Sequence, residues 1–219
     1  MKNKLCSLAL IITGLTSSLS VQAYETGNLL IRTGLTAVRP DAASDNVLVD
    51  GNDLGMGVSV DNNSQLGINI NYFLSPKIAI EILLATPFKH DIDLNTVGAL
   101  GTTKHLPPTV SINFYFAEST AVLQPYVGAG INYTVFFDEE FTTENSQAGF
   151  SDLSLDDSIG LSAQAGIDYI LNDNWQINAS LRWININTTA DFKLNNASGS
   201  VDVDIDPFVY TLSIGYRFN

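Results

Sequence analysis

Five charged residues stand alone inside apolar stretches of this 219-residue chain: Arg32 in "LLIRTG", Glu81 in "IAIEILL", Asp168 in "AGIDYIL", Arg182 in "SLRWI" and Arg217 in "GYRFN". An isolated carboxylate of this kind can serve as a general acid or base, or it can pair with a cation. Catalysis would need a nucleophile or base held beside a histidine or carboxylate. The chain has two histidines, His90 in "PFKHDI" and His105 in "TKHLPP", both beside the connection after its third alternating segment. Asp91 or Asp93 could join them in a two-histidine metal site, but no ligand spacing supports one. No catalytic residue, metal or cofactor is therefore expected. The work of the five charges depends on the elements that hold them.

Those elements alternate in character. Eight segments run over 28–40, 65–75, 78–88, 109–117, 124–137, 158–171, 175–191 and 201–218, and helical periodicity is nowhere sustained. The connections after the second, fourth and sixth segments are tight, built from "SPK", "AEST" and "NDN". The others are longer and polar, among them the stretches 41–64 and 138–157. An even number of antiparallel strands, with short turns at one end and long loops at the other, is the pattern of an outer-membrane barrel.

The N-terminus agrees. Lys2 and Lys4 precede the apolar run "LCSLALIITGL", and Val21 and Ala23 supply the small residues of a cleavage site. Residues 1–23 are expected to be a secretory signal peptide and 24–219 the barrel. Cys6, the single cysteine, precedes the apolar core, so a lipid anchor is not expected. The mature chain then has no thiol for a disulfide, a metal or a nucleophile. Without Lys2 and Lys4, eight basic residues face 23 acidic ones. A chain so acidic is a poor nucleic-acid binder. Its acids cluster between strands and read mainly as solvated surface.

A soluble barrel or sandwich would also alternate. Its polar face would carry Lys and Glu, whereas here the polar faces are mostly Gly, Ser, Asn, Gln and Thr. Trp175 and Trp183 share a face and bracket Ile177, Ala179 and Leu181, the aromatic girdle of a membrane strand. The closing run "SVDVDIDPFVYTLSIGYRFN" has Asp202, Asp204 and Asp206 on one parity, followed by Phe208, Tyr210, Leu212, Ile214, Tyr216 and Phe218. From Phe208 to Phe218 a tilted strand rises roughly 26 Å, the height of the lipid-facing band. The same strand is expected to continue above Phe208 into water, where its outer face becomes acidic. The predicted fold is all-β: an eight-stranded antiparallel transmembrane barrel with short periplasmic turns and longer extracellular loops.

The inward parity then places Arg32, Glu81, Asp168 and Arg217 near the periplasmic end, with Arg182 somewhat higher. Inside a narrow barrel they are expected to pair into a plug, since an unpaired buried charge is costly. Toward the outer end the inward residues turn apolar: Val38, Phe136, Ile184, Ile186, Val203 and Ile205, with Leu83 lower, near Arg182. They read either as a pocket for small hydrophobic molecules or as the dry core of extended hairpins.

Several stretches resemble the outer membrane protein W family, which includes AlkL-type proteins. They are "LLATPFKHDI", "HLPPTV", "PYVGAGINYTVFF", "SDLSLDDSIG" and "GYRF", in an order that covers nearly all of the mature chain. The resemblance implies an eight-stranded outer-membrane barrel with an apolar channel, associated with passive uptake of small hydrophobic compounds, which could leave sideways between strands. It also implies partners: outer-membrane lipid and lipopolysaccharide, small hydrophobic solutes, and the barrel-assembly machinery. That machinery reads a terminal aromatic, here Phe218, and Asn219 after it departs from the family's pattern.

Overall fold

A computed structural model describes residues 23–95 and 97–218. The expected signal peptide therefore lies, except for Ala23, outside the described residues. Eight long strands form the barrel: β1 (Leu29–Arg39), β2 (Asn63–Ser75), β3 (Ile78–Ala85), β4 (Thr109–Tyr115), β5 (Leu123–Phe141), β6 (Ser158–Ile170), β7 (Trp175–Ile184) and β8 (Phe208–Phe218). Each pairs antiparallel with its neighbours in sequence. β8 returns to β1 in register from Leu29↔Phe218 to Arg39↔Phe208, so the sheet closes and keeps no free edge.

Alternation decides which face goes where. Leu35, Leu66, Ile112, Ile131, Leu161 and Leu212, one from each of six strands, are all more than half exposed. Their inward neighbours, such as Thr36, Ser111 and Ser162, are buried. A continuous apolar belt around a polar interior inverts a soluble protein and suits a barrel in lipid. Aromatics mark its edges. Trp175 packs edge-on against Tyr216 at 4.9 Å near the short turns, and Tyr216 meets Phe218 at 4.7 Å. Trp183 pairs across the ladder with Phe208 at the other rim.

Above the barrel the long connections are not loose. The hairpin Phe88–Leu94/Gly98–Leu106 pairs on one side with the top of β5 and on the other with Val58–Val60. A second sheet comprises Phe150–Leu155, the hairpin Asn187–Leu194/Ala197–Asp204, and the short strands Ala43–Ser44, Leu48–Val49 and Asn52–Asp53. A short helix, Thr143–Gln147, begins at Thr142, whose hydroxyl accepts from the Asn145 amide.

The reading of segments seven and eight as unbroken strands needs correction. β7 stops at Ile184 and resumes as Asn187–Leu194; β8 begins at Phe208, after Ala197–Asp204 has ended. The break is chemical. Pro207 has no N–H for the ladder, and Asp206 adopts a left-handed φ of 36°. The Asp206 carboxylate then accepts from the Ile186 amide at 3.0 Å and from the Asn185 side chain at 2.9 Å, closing both ends of the bend. The faces survive it: Val201, Val203 and Ile205 stay buried while Asp202 and Asp204 stay exposed.

Candidate functional site

The interior has two storeys. In the lower one, four charges from four strands meet. Arg32 on β1 reaches Glu81 on β3 at 3.2 Å and Asp168 on β6 at 2.6 Å. Arg182 on β7 binds the other Glu81 oxygen and also donates to Ser111 at 2.9 Å and Gln164 at 2.8 Å. Arg32, Glu81, Asp168 and Arg182 are all essentially shut off from solvent. Two guanidiniums against two carboxylates make the layer neutral. Amides complete it: Asn113 and Gln164 donate to Glu81, and Asn178 donates to Asp168. The network therefore braces the barrel across its diameter as well as along its wall.

Three tyrosines seal this layer, and none was singled out from the sequence. The Tyr24 hydroxyl donates to Asp168 at 2.5 Å, the Tyr115 hydroxyl accepts from Arg32 at 2.8 Å, and Arg32 lies 5.4 Å from the centre of the Tyr126 ring. Tyr24 stacks on Phe73 at 4.1 Å. Room for Tyr126 comes from Gly166, where a methyl group would strike the Tyr126 ring. Tyr24 precedes the first alternating segment, so no periodicity marked it. Arg217 sits below the network, with its guanidinium on the Asp173 carbonyl in a periplasmic turn.

The upper storey is apolar. A narrow cavity of about 50 Å³ lies between the two extracellular sheets. Of the residues expected there, Phe136, Val203 and Ile205 line it. Val38, Ile184 and Ile186 belong to the same buried cluster and pack without lining the cavity. Leu83 is buried outside that cluster, paired in register with Thr109 and Asn69. Most of the wall comes from residues that sequence reasoning left in polar loops. Phe141, Phe150 and Phe192 form a ring cluster with centroids 5.2–6.2 Å apart. Leu153 and Leu155 project from the long polar connection 138–157, and Val47 and Val58 from the connection 41–64.

Local signals for this wall were present. Asn195 and Asn196 have φ of 49° and 72°, and Asp50 and Gly51 have 48° and 76°. Both pairs are two-residue hairpin turns with left-handed central residues, and Asn-Asn and Asp-Gly favour that geometry. His90 and His105 also enter the cavity wall, from facing strands of one hairpin. Among the described residues no group of three or more His, Cys, Asp or Glu is placed to hold a metal ion.

Comparison with known proteins gives a consistent result. The OmpW family model matches residues 25–218. Outer membrane protein W of Vibrio cholerae is 44% identical over 223 residues, covering 100% of both chains. Outer membrane protein W of Escherichia coli is 44% identical over 98% of this chain and 99% of its own. The crystal structure of outer membrane protein OprG from Pseudomonas aeruginosa superposes with a TM-score of 0.88 at 36% identity, covering 91% of this chain and 99% of that one.

Proposed function

The chain belongs to the OmpW family, and from that premise we propose that it is an outer-membrane channel for passive uptake of small hydrophobic molecules. The observation that carries this reading is the apolar cavity held above a closed, neutral layer of charge. An aqueous porin would line its mouth with polar groups. Here the mouth gains free energy from apolar solutes, at about 25 cal/mol for each Å² removed from water. Lipopolysaccharide resists such solutes, so an apolar refuge outside the bilayer lowers the cost of crossing. The charged layer stops a solute from passing straight through and leaves sideways release into the membrane as its exit. No catalytic role is assigned: Glu81 and Asp168 are consumed in ion pairs. Residues 1–23 are assigned as a cleaved leader, and lipopolysaccharide and the barrel-assembly machinery as partners.

Uptake of naphthalene into cells lacking their own version of the protein tests the proposal. Ala190 lines the cavity. Ala190→Trp should fill it without adding charge and cut uptake at least ten-fold, with heat-modifiable migration showing a folded barrel. Val203→Asp should do the same by holding water in the pocket. Wild-type uptake by a folded Ala190→Trp barrel would favour a structural or adhesive role with no transport.

A further inference from the structure

The cavity is apolar except at four side chains, Thr103, Thr188, His90 and His105. The two hydroxyls are already engaged: Thr188 donates to the Asp156 carbonyl at 2.7 Å and Thr103 to the Lys104 carbonyl at 3.4 Å. The histidines differ. Both are at least 97% buried, yet His90 Nε2 and both ring nitrogens of His105 have no hydrogen-bond partner in the protein. The rings stand 4.9 Å apart and 86° to one another, and they do not bond each other. A buried polar atom without a partner is costly, and native proteins retain few of them away from functional sites.

The tautomer of His90 follows from its surroundings. Its Nδ1 is 2.7 Å from the Asp61 carbonyl oxygen and 3.4 Å from the Asp61 carboxylate. Both groups only accept, so Nδ1 carries the hydrogen and, in the neutral ring, Nε2 is a bare acceptor. Burial, aided by the neighbouring His90, pushes His105 down to about 3, so its ring is neutral and offers one donor and one acceptor. Phe88 and Phe136 hold the His105 ring at 5.4 and 5.8 Å.

We infer that His90 and His105 form a polar recognition point within the apolar cavity, selecting solutes with an apolar body and one hydroxyl-like group. A hydroxyl matches the pair: it donates to His90 Nε2 and accepts from the N–H of His105. The inference rests on the reading of the cavity as a pocket for hydrophobic solutes, and it narrows the class from hydrocarbons to amphiphiles.

The test uses the fact that these are the chain's two histidines. With ¹⁵N-histidine label, full-length barrel in nanodiscs is titrated with 2-naphthol and with naphthalene. Binding is followed by naphthyl fluorescence against empty nanodiscs. 2-Naphthol should shift the bare-nitrogen resonance as it accepts a hydrogen bond, whereas naphthalene should leave it in place. Replacing both rings by His90→Phe and His105→Phe should lower the preference for 2-naphthol over naphthalene about five-fold, the worth of about one hydrogen bond, while naphthalene still binds. If both probes bind but the nitrogens respond to them alike, or the folded double variant keeps its preference, the polar recognition point is wrong and the pocket stands. If neither probe binds the wild type, both readings fall. A double variant that does not fold leaves the wild-type spectra to decide.

Discussion

Glu81 is the hub of the lower storey: it accepts from two arginines, an asparagine and a glutamine, and is fully buried. Removing one member of a buried ion network strands the others, at about 3–5 kcal/mol. Glu81→Ala should therefore lower the unfolding free energy in liposomes by that amount. Tyr24→Phe should cost only about 1 kcal/mol, because Asp168 keeps Arg32 and Asn178. Equal losses would mean that the tyrosine seal matters as much as the ion pairs. A second residue-scale effect comes from His105, held at about 3 against an ordinary histidine value near 6.5. Between these values the unfolded chain binds the extra proton, so this contribution is intact above about pH 6.5 and drains away as pH falls toward 3. At pH 5.5 the loss should be about 1.4 kcal/mol relative to neutral pH. Comparing urea unfolding of wild type and His105→Phe at pH 7.5 and 5.5 isolates it, because the variant should lack this share of the slope.

Strands whose side chains alternate between lipid and lumen with a period of two are easy to read, and this explains how much of the fold was legible. Every barrel strand has one face in hydrocarbon, so its parity is strict and the inward charges announce themselves as the odd members of apolar runs. What parity does not give is partners: it grouped Arg217 with Arg32, Glu81 and Asp168 in one plug, whereas the Arg217 guanidinium donates to a turn carbonyl at Asp173. The upper sheets were hidden for a different reason. Their outer face meets water, so Asp191 and Lys193 mask the inward Phe192 and the stretch between segments seven and eight reads as a polar loop, whereas the strict alternation of segment eight made the inward Val203 and Ile205 legible. The last segment contains both regimes and supports a test at this scale. Leu212 and Asp202 lie on the same parity on either side of the Pro207 bend, both exposed. Leu212→Arg should cost about 2–4 kcal/mol near the bilayer midplane, and Asp202→Arg close to nothing. A charge at Ser213 is no neutral control, because that side chain is buried in the packed interior beside Gly34. Equal costs at Leu212 and Asp202 would place the lipid boundary elsewhere.

At the scale of the whole molecule, every asymmetry points the same way. The tight turns lie at the end where Trp175, Tyr216 and Phe218 cluster and where Lys77 pairs with Glu118 at 2.9 Å. The folded sheets, the cavity and most of the acidic side chains lie at the other end. A barrel inserted with short turns inward would put its cavity in the outside medium, where a solute must be captured before lipopolysaccharide is crossed. The reverse orientation would place the cavity in the periplasm, where capture gains nothing for entry. Orientation is therefore a condition of the proposed function. Glu144 is exposed on the helix Thr143–Gln147 of the cavity end, and Asp173 is exposed in the turn between β6 and β7. Cys6 is the chain's one cysteine and falls in the assigned leader, so a single introduced thiol gives a clean signal. Glu144→Cys should label on intact cells with an impermeant maleimide, and Asp173→Cys only after the outer membrane is permeabilised. Labelling of Asp173→Cys on intact cells, with Glu144→Cys silent, would invert the barrel and remove the cavity from the route of uptake.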